Sequence, residues 1–417
     1  MAPEALVNET ATRNALFEEV ERRIETESPR AAFDWLIEQL RDARDYRSMF
    51  DARLMRKRHE MGLPLLQAEG AASLPEDARQ EYQNEMIQAA RETGGLFLSN
   101  GDILRAWPYF RAIGEAEPVV EALESAASDR EDADGLIAIA LQEGLHPRKG
   151  IELVLAKHGM CRAINTLSMF QIQKDRDQCI ALLVRGLHAE IVDRMGRAIE
   201  SEEAVRPETR NLPEMMRGRD WLFGEWTYYV DTSHLASILP YVPETDDEEI
   251  LELFVEMCEY GKRLSANFHY KGDPPFEDAY EGYGRYASAL LGRNVDENVE
   301  WFRRKADETD VDRFGDIPRQ VLIRLLASVG RYGEAASEME KLPRELQSEP
   351  LTIPQLLYLS EDYARLREFA RESGDVLAFA AATAACPLVI TPATVITAAS
   401  TSAIKRRCRG FLSRLED

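Results

Sequence analysis

The chain lacks the short signatures that announce a particular chemistry. It has no glycine-rich phosphate loop, no GxGxxG following a strand, no GxSxG elbow, no HExxH pair and no kinase motif set. Cysteine is scarce: Cys161, Cys179, Cys258, Cys386 and Cys408 are scattered, odd in number and without a CxxC pair. That argues against a disulfide framework or a zinc knuckle and fits a reducing compartment. Val, Ile and Thr are sparse before the last forty or so residues, which disfavours β-structure. Positive charge is short as well, with 51 basic residues against 74 acidic and a formal charge of −23. General affinity for nucleic acid, whose phosphates need a basic surface, is therefore not expected. The first residues show no basic stretch followed by an apolar one, so no signal peptide is expected and the cytoplasm is the expected location.

What is abundant is Glu, Arg, Ala and Leu, all good helix formers. Apolar residues recur at helical spacing. Leu16, Val20 and Ile24 keep a spacing of four, and Phe33, Leu36, Ile37 and Leu40 follow the i, i+3, i+4, i+7 pattern. Three helices are predicted over 15–67, with Pro64 stopping the third. Further helices are predicted ending at Phe97, over 103–113, 136–145, 148–169, 175–199, 233–241, 247–264, 276–291, 295–307, 318–329 and 334–342. Pro108 is expected to kink the helix over 103–113.

Two stretches carry a common order of residues. The first is Gly94, Phe97, Gly101-Asp102, Ala106, Phe110 and Ile113; the second is Leu322, Leu326, Gly330-Arg331-Tyr332, Ala335, Met339 and Leu342. In each, a large apolar residue precedes a Gly-containing turn, a small residue follows where two helices cross closely, and an apolar stripe completes the second helix. Both resemble tetratricopeptide-repeat hairpins. Leu36, Leu40, Tyr46 and Met49 form a weaker third case without a turn glycine. The two strong cases lie 229 residues apart (101 to 330), with no steady repeat of about 34 between them. The chain as a whole also resembles uncharacterised bacterial helical-repeat proteins. The resemblance implies an all-α fold, an irregular right-handed α-solenoid of antiparallel helix pairs. Domain organisation is expected as a helical-repeat half over 1–200, a Glu/Arg/Pro-rich linker over 201–219, a second helical half over 220–385 and an atypical apolar and basic tail over 386–417.

Residues 376–404 form 29 consecutive positions without a charge, followed by Lys405, Arg406 and Arg407. That length would cross a bilayer, which needs about twenty apolar residues. Pro387, Pro392 and the interspersed Ser and Thr argue against crossing, as does the position of the basic cluster. An Ala-rich packing helix over 376–385, then an irregular segment and a basic terminal helix, is the reading preferred over membrane contact.

The densest cluster of functional residue types runs from Trp221 to Glu281. Asp231 or Thr232 reads as a helix N-cap, placing His234 in a first turn where the positive end of the helix dipole favours a neutral imidazole. His269 and Glu277 lie in a long non-helical loop. Were Asp231, His234, His269 and Glu277 to converge, they would serve as weak candidates for general acid–base catalysis or ligand binding. The plainer alternative is that they cap and fill helix junctions. Cys161, three residues after His158, is expected to be a small buried apolar residue. Arg105, Trp107, Tyr109 and Arg111 flank the Gly101-Asp102 turn, and Trp226 and Tyr229 sit in the aromatic stretch; these six are the expected partner contacts, since Arg and aromatic residues dominate binding energy. No metal or cofactor is predicted. The leading expectation is a scaffold that binds a peptide or protein partner in a groove of stacked helix pairs. The alternative is an enzyme or a small-ligand or metal-binding protein using the Asp231/His234 and His269/Glu277 region.

Overall fold

A computed structural model describes residues 3–66, 76–170, 172–347 and 351–385, with side chains left aside for 3–13 and 76–77. It is all-helical. The described residues form twenty α-helices and no strand; the one isolated β-bridge joins Lys271 and Asp278. Contacts divide the chain into two compact units, Met1–Lys157 and His158–Asp417.

The first unit contains α1 (Pro3–Thr26), α2 (Pro29–Asp42), α3 (Tyr46–Glu60), α4 (Glu76–Ser99), α5 (Ile103–Ile113), α6 (Glu117–Glu124) and α7 (Ala133–Ile137), followed by a π-helical turn over Ala138–Gln142. Consecutive helices from α1 to α6 pack on one another. Their core gathers Tyr46, Phe97, Ile103, Ala106, Phe110, Val119, Leu123, Leu136 and Leu153, with a smaller cluster of Ile37, Met49 and Ala52. Gly94 and Ala106 show why small residues recur in the hairpin pattern. A Cβ on Gly94 would lie 2.6 Å from the Phe110 ring, and Ala106 is fully buried. Pro108 lies inside α5.

α8 (Pro147–Met169) carries the chain from one unit into the other, with a helical break at Gly159 (φ 79°, ψ 179°). Beyond the break, Met160, Ala163, Ile164 and Leu167 face the interior at helical spacing. Cys161 therefore points the opposite way and is exposed, contrary to the expectation of a buried thiol.

The second unit continues with α9 (Arg176–Glu203), α10 (Leu212–Met216), α11 (Thr232–Ile238), α12 (Glu248–Arg263), α13 (Ala279–Leu290), α14 (Val295–Glu308), α15 (Val311–Phe314), α16 (Ile317–Ser328), α17 (Tyr332–Met339), α18 (Ile353–Leu359), α19 (Tyr363–Ser373) and α20 (Val376–Ala385). The stretch 201–219, expected to be a linker, lies within this unit. Leu212, Met215 and Met216 of α10 are buried, and α10 packs on α9 and α12. Beyond α20, the tail over 386–417 lies outside the described residues.

One turn recurs in both units. Helix pairs joined by a residue in the left-handed region include those at Arg44 (φ 58°), Gly101 (φ 74°), Gly330 (φ 80°) and Glu361 (φ 63°). In each, the N–H of that residue and of the next reach back to carbonyls of the preceding helix. Gly101 donates to Leu98 and Asp102 to Phe97; Glu361 donates to Tyr358 and Asp362 to Leu357. These are Schellman closures, which satisfy carbonyls that a helix end leaves unpaired. The following Asp45, Asp102 or Asp362 then caps the next helix, accepting from the N–H of Ser48, Arg105 or Arg365.

A buried polar node ties α9, α10 and α12 together. The Glu256 carboxylate accepts from His188 Nε2 at 2.9 Å, Asn211 Nδ2 at 2.6 Å and the Leu212 N–H at 2.9 Å. Burial pushes this carboxyl up, but the bonds from His188, Leu212 and Asn211 outweigh it and hold the group below its ordinary 4.5. A lowered folded value means that the node stabilises the fold above the unfolded pKa and ceases to do so as pH falls through the folded one. Glu256→Gln is therefore expected to cost stability at pH 7, with the gap to wild type narrowing once the pH drops below about 4.5. Urea unfolding at a series of pH values checks this; a gap that does not change with pH would refute it.

Candidate functional site

In the first unit, α1 to α4 border an open groove of about 660 Å³. Its lining is Arg23 from α1; Ala31, Asp34, Trp35, Ile37, Glu38 and Arg41 from α2; Arg53 and Arg56 from α3; and Glu92 from α4. Local sequence accounts for the placement. Ser28 caps α2 by accepting from the Ala31 N–H at 3.2 Å, and Pro29 takes a first-turn position where no N–H is needed. Burial of Ile37 then leaves Asp34, Glu38 and Arg41, at i, i+4 and i+7, on a neighbouring stripe that is only partly covered.

Ion pairs cross the groove between helices. Arg56 reaches Asp34 at 2.6 Å, Arg53 reaches Glu85 at 2.7 Å, and Arg41 and Arg53 both bond Glu92. The Arg23 guanidinium lies 5.2 Å from the centre of the Trp35 ring, within cation–π range. The Arg53–Glu85 pair is largely covered, whereas the Arg41–Glu92 and Arg56–Asp34 pairs are more accessible and individually worth about 0–1 kcal/mol. An arriving chain can exchange them for its own charges at small cost, while Trp35 offers an amphipathic face for an apolar side chain.

The catalytic candidates occupy the second unit in two separate sets of contacts. Asp231 caps α11, its Oδ1 accepting from the Ser233 hydroxyl at 2.7 Å and N–H at 2.9 Å. These bonds, the hydroxyl's first, hold its carboxyl below the ordinary range. His234 follows half-buried in the first turn, its N–H donating to the Asp231 carbonyl at 3.0 Å. His269 has its own contacts, with Nε2 3.4 Å from Asp278 and its ring edge-on to Tyr280. Glu277 is exposed, 3.6 Å from the Lys305 ammonium. The geometry pairs His269 with Asp278 and gives Glu277 a cation of its own. Among the described residues, no group of three or more His, Cys, Asp or Glu side chains is arranged to hold a metal ion. No protein-family model, curated protein or solved structure matches the chain.

The expected partner contacts divide by exposure. Arg105 and Arg111 are exposed and paired with Asp102 (3.3 Å) and Glu143 (2.8 Å). Trp107 is half-buried against the core, and its indole N–H meets no acceptor among the described residues. Tyr109 stacks on Phe97 at 5.8 Å and meets Phe50 edge-on, and burial raises its hydroxyl above its ordinary value. Trp226 is 71% exposed, its ring edge-on to Phe268. Tyr229, by contrast, is buried, with its hydroxyl donating to the Leu222 carbonyl at 3.1 Å, and burial pushes it up to about 12. Little of its ring is exposed, and its hydroxyl finds an acceptor inside.

Arg23, Trp35, Arg41, Arg53 and Arg56 were not among the sequence-derived contacts. A local reversal of charge marks their neighbourhood. α3 carries Arg47, Arg53, Arg56, Lys57 and Arg58 against Asp51 and Glu60, in a chain that is acidic as a whole.

Proposed function

We propose that this chain is an interaction scaffold, whose units are irregular, right-handed, tetratricopeptide-like α-solenoids of antiparallel helix pairs. It holds a segment of a protein partner in the groove bordered by α1 to α4. The observation that carries the reading is the groove's lining: cations and carboxylates from four helices around Trp35, in exchangeable pairs. Such a lining suits a peptide segment bearing both charges and one apolar anchor better than it suits a small apolar molecule, which asks for a mainly hydrophobic, enclosed pocket. The recurring Schellman hairpins support the repeat-like assignment, because they set consecutive helices side by side and leave grooves between them.

The test places a photo-crosslinking amino acid at Glu38, an exposed position on the groove. Irradiation in extract of the source cell is expected to give one discrete protein adduct. Trp35→Ala and Arg41→Glu should each reduce it by about tenfold, the loss typical of a central contact. An adduct that both changes leave intact would overturn the proposal.

A further inference from the structure

Of the five tryptophans, Trp226 is the most exposed. Trp107 packs on the core of the first unit. Trp35 and Trp301 each carry cations of the chain itself, Arg23 on the first and Arg285 with Lys305 on the second. Trp226 belongs instead to a group of three rings. Phe268 meets Trp226 edge-on, with centres 6.2 Å apart and planes at 84°, and meets Tyr228 at 4.7 Å and 50°. Tyr228 is half exposed. Rings set at these angles act as walls and not as one flat platform. Among the described residues, no Lys or Arg lies over Trp226, Tyr228 or Phe268, although Arg263 lies 4.7 Å from the centre of the neighbouring Phe223 ring and pairs with Asp220 at 2.5 Å.

Hydrogen bonds hold these rings in place before any ligand arrives. The Glu225 carbonyl accepts from the Ser265 hydroxyl at 2.7 Å and the Asn267 amide at 3.3 Å, which ties the turn carrying Trp226 to the loop carrying Phe268. Next to Tyr228, the Tyr229 N–H donates to the Tyr260 hydroxyl at 3.0 Å. A site fixed in this way loses little freedom on binding.

Charge indicates what the rings receive. Segment 220–231 carries Asp220, Glu225 and Asp231 and no Lys or Arg, and segment 265–278 carries Asp273, Glu277 and Asp278 against Lys271. Glu225, beside Trp226, is exposed and forms no ion pair among the described residues. Phosphate-bearing ligands, nucleotides and phospholipid headgroups included, are repelled by this charge. An uncharged ligand would gain nothing from it. A quaternary ammonium matches both features: ring faces attract a cation through their quadrupole, and its methyl groups bury against the rings.

We infer that Trp226, Tyr228 and Phe268 form a binding site for a small quaternary ammonium solute, with Glu225 supplying the counter-charge. The ligand class is a free trimethylammonium compound of about the size of choline. The site belongs to the second unit and does not depend on a partner in the groove of the first.

The test is saturation-transfer NMR on the intact protein with choline and with dimethylbutanol, its uncharged isostere, in which carbon replaces the charged nitrogen. Choline is expected to bind with a Kd on the order of 1 mM, about tenfold more tightly than the isostere. Trp226→Ala should weaken choline binding by about tenfold, Glu225→Gln by about threefold, and Trp226→Phe, which keeps a ring face, by less than the alanine change. Both side chains are exposed, so an unchanged far-ultraviolet circular dichroism spectrum is expected to confirm that the fold is kept. Absence of transfer to choline would overturn the inference, as would equal binding of the isostere or binding that Trp226→Ala leaves untouched. Phosphatidylcholine vesicles, or a peptide bearing trimethyl-lysine, binding about tenfold more tightly than choline would also overturn it and assign the rings to a lipid or to a protein.

Discussion

Replacing Glu338 with alanine is expected to cost about 3 kcal/mol and to lower the melting temperature of the second unit by about 10 °C. Glu338 on α17 is 2% exposed, yet it is surrounded by cations. Arg303 from α14 and Arg319 from α16 both bond its carboxylate, and Lys341 adds a contact at 2.9 Å. The two guanidinium groups are largely covered and hold further carboxylates, Glu334 at 2.7 Å and Asp307 at 2.9 Å. Three helices thus meet at one acceptor. Removing it takes one carboxylate from each of two largely covered cations, and breaking a buried pair costs about 3–5 kcal/mol where no other partner remains. Partial solvent access to Arg303 and Arg319 places the expected loss at the lower end. Glu338→Gln keeps one acceptor oxygen and should fall between the two. Urea denaturation of the three proteins checks the order, and a loss below about 1 kcal/mol for the alanine variant would show that the cluster is held by packing alone.

The second large effect is expected at Gly261, where α12 and α13 approach closely. A Cβ at this position would lie 2.3 Å from Tyr280 Cδ1 and 2.6 Å from its Cγ. Tyr280 is fully buried, so its ring has no open space to enter. Gly261→Val therefore forces the two helices apart, at a cost of about 3 kcal/mol. Gly261→Ala should be milder, at about 1–2 kcal/mol, because the clash is offset by about 1 kcal/mol of helix propensity. The cause is separable from general intolerance by a double-mutant cycle. In a Tyr280→Ala background the vacated volume admits the new side chain, and the penalty for Gly261→Val should largely disappear. A penalty of equal size in both backgrounds would contradict the contact.

Helices were legible where one face is buried and a long amphipathic period results. The stretch 247–264 has Ile250, Leu251, Phe254, Met257 and Cys258 inside and is α12 to within a residue at each end. The Gly101 and Gly330 turns were legible because glycine marks the left-handed position. The equivalent turn at Glu361 was not, although Leu357, Asp362 and Tyr363 around it match Leu40, Asp45 and Tyr46 around Arg44. The left-handed residue there carries a side chain, so the usual marker is missing. The stretch 201–219 reads as a linker through its Pro, Glu and Arg, while burial of Leu212, Met215 and Met216 depends on α9 and α12 beside it. The same limit applies to the groove. Arg53 meets Glu85 and Glu92, and Arg56 meets Asp34, across helices that no local spacing connects. For Asp231 and His234 the cap and first turn were legible, but the pairing of His269 with Asp278 and of Glu277 with Lys305 needed the fold.

The central claim is that a protein partner occupies the groove of the first unit, and a comparison of two crosslinking positions tests it most directly. Trp226 is the most exposed of the aromatic residues expected to touch a partner and belongs to the other unit. With the photo-reactive group placed at Glu38 in one sample and at Trp226 in another, the discrete adduct is predicted at Glu38 and absent at Trp226. An adduct at Trp226 with none at Glu38 would contradict the account and move the binding surface to the second unit.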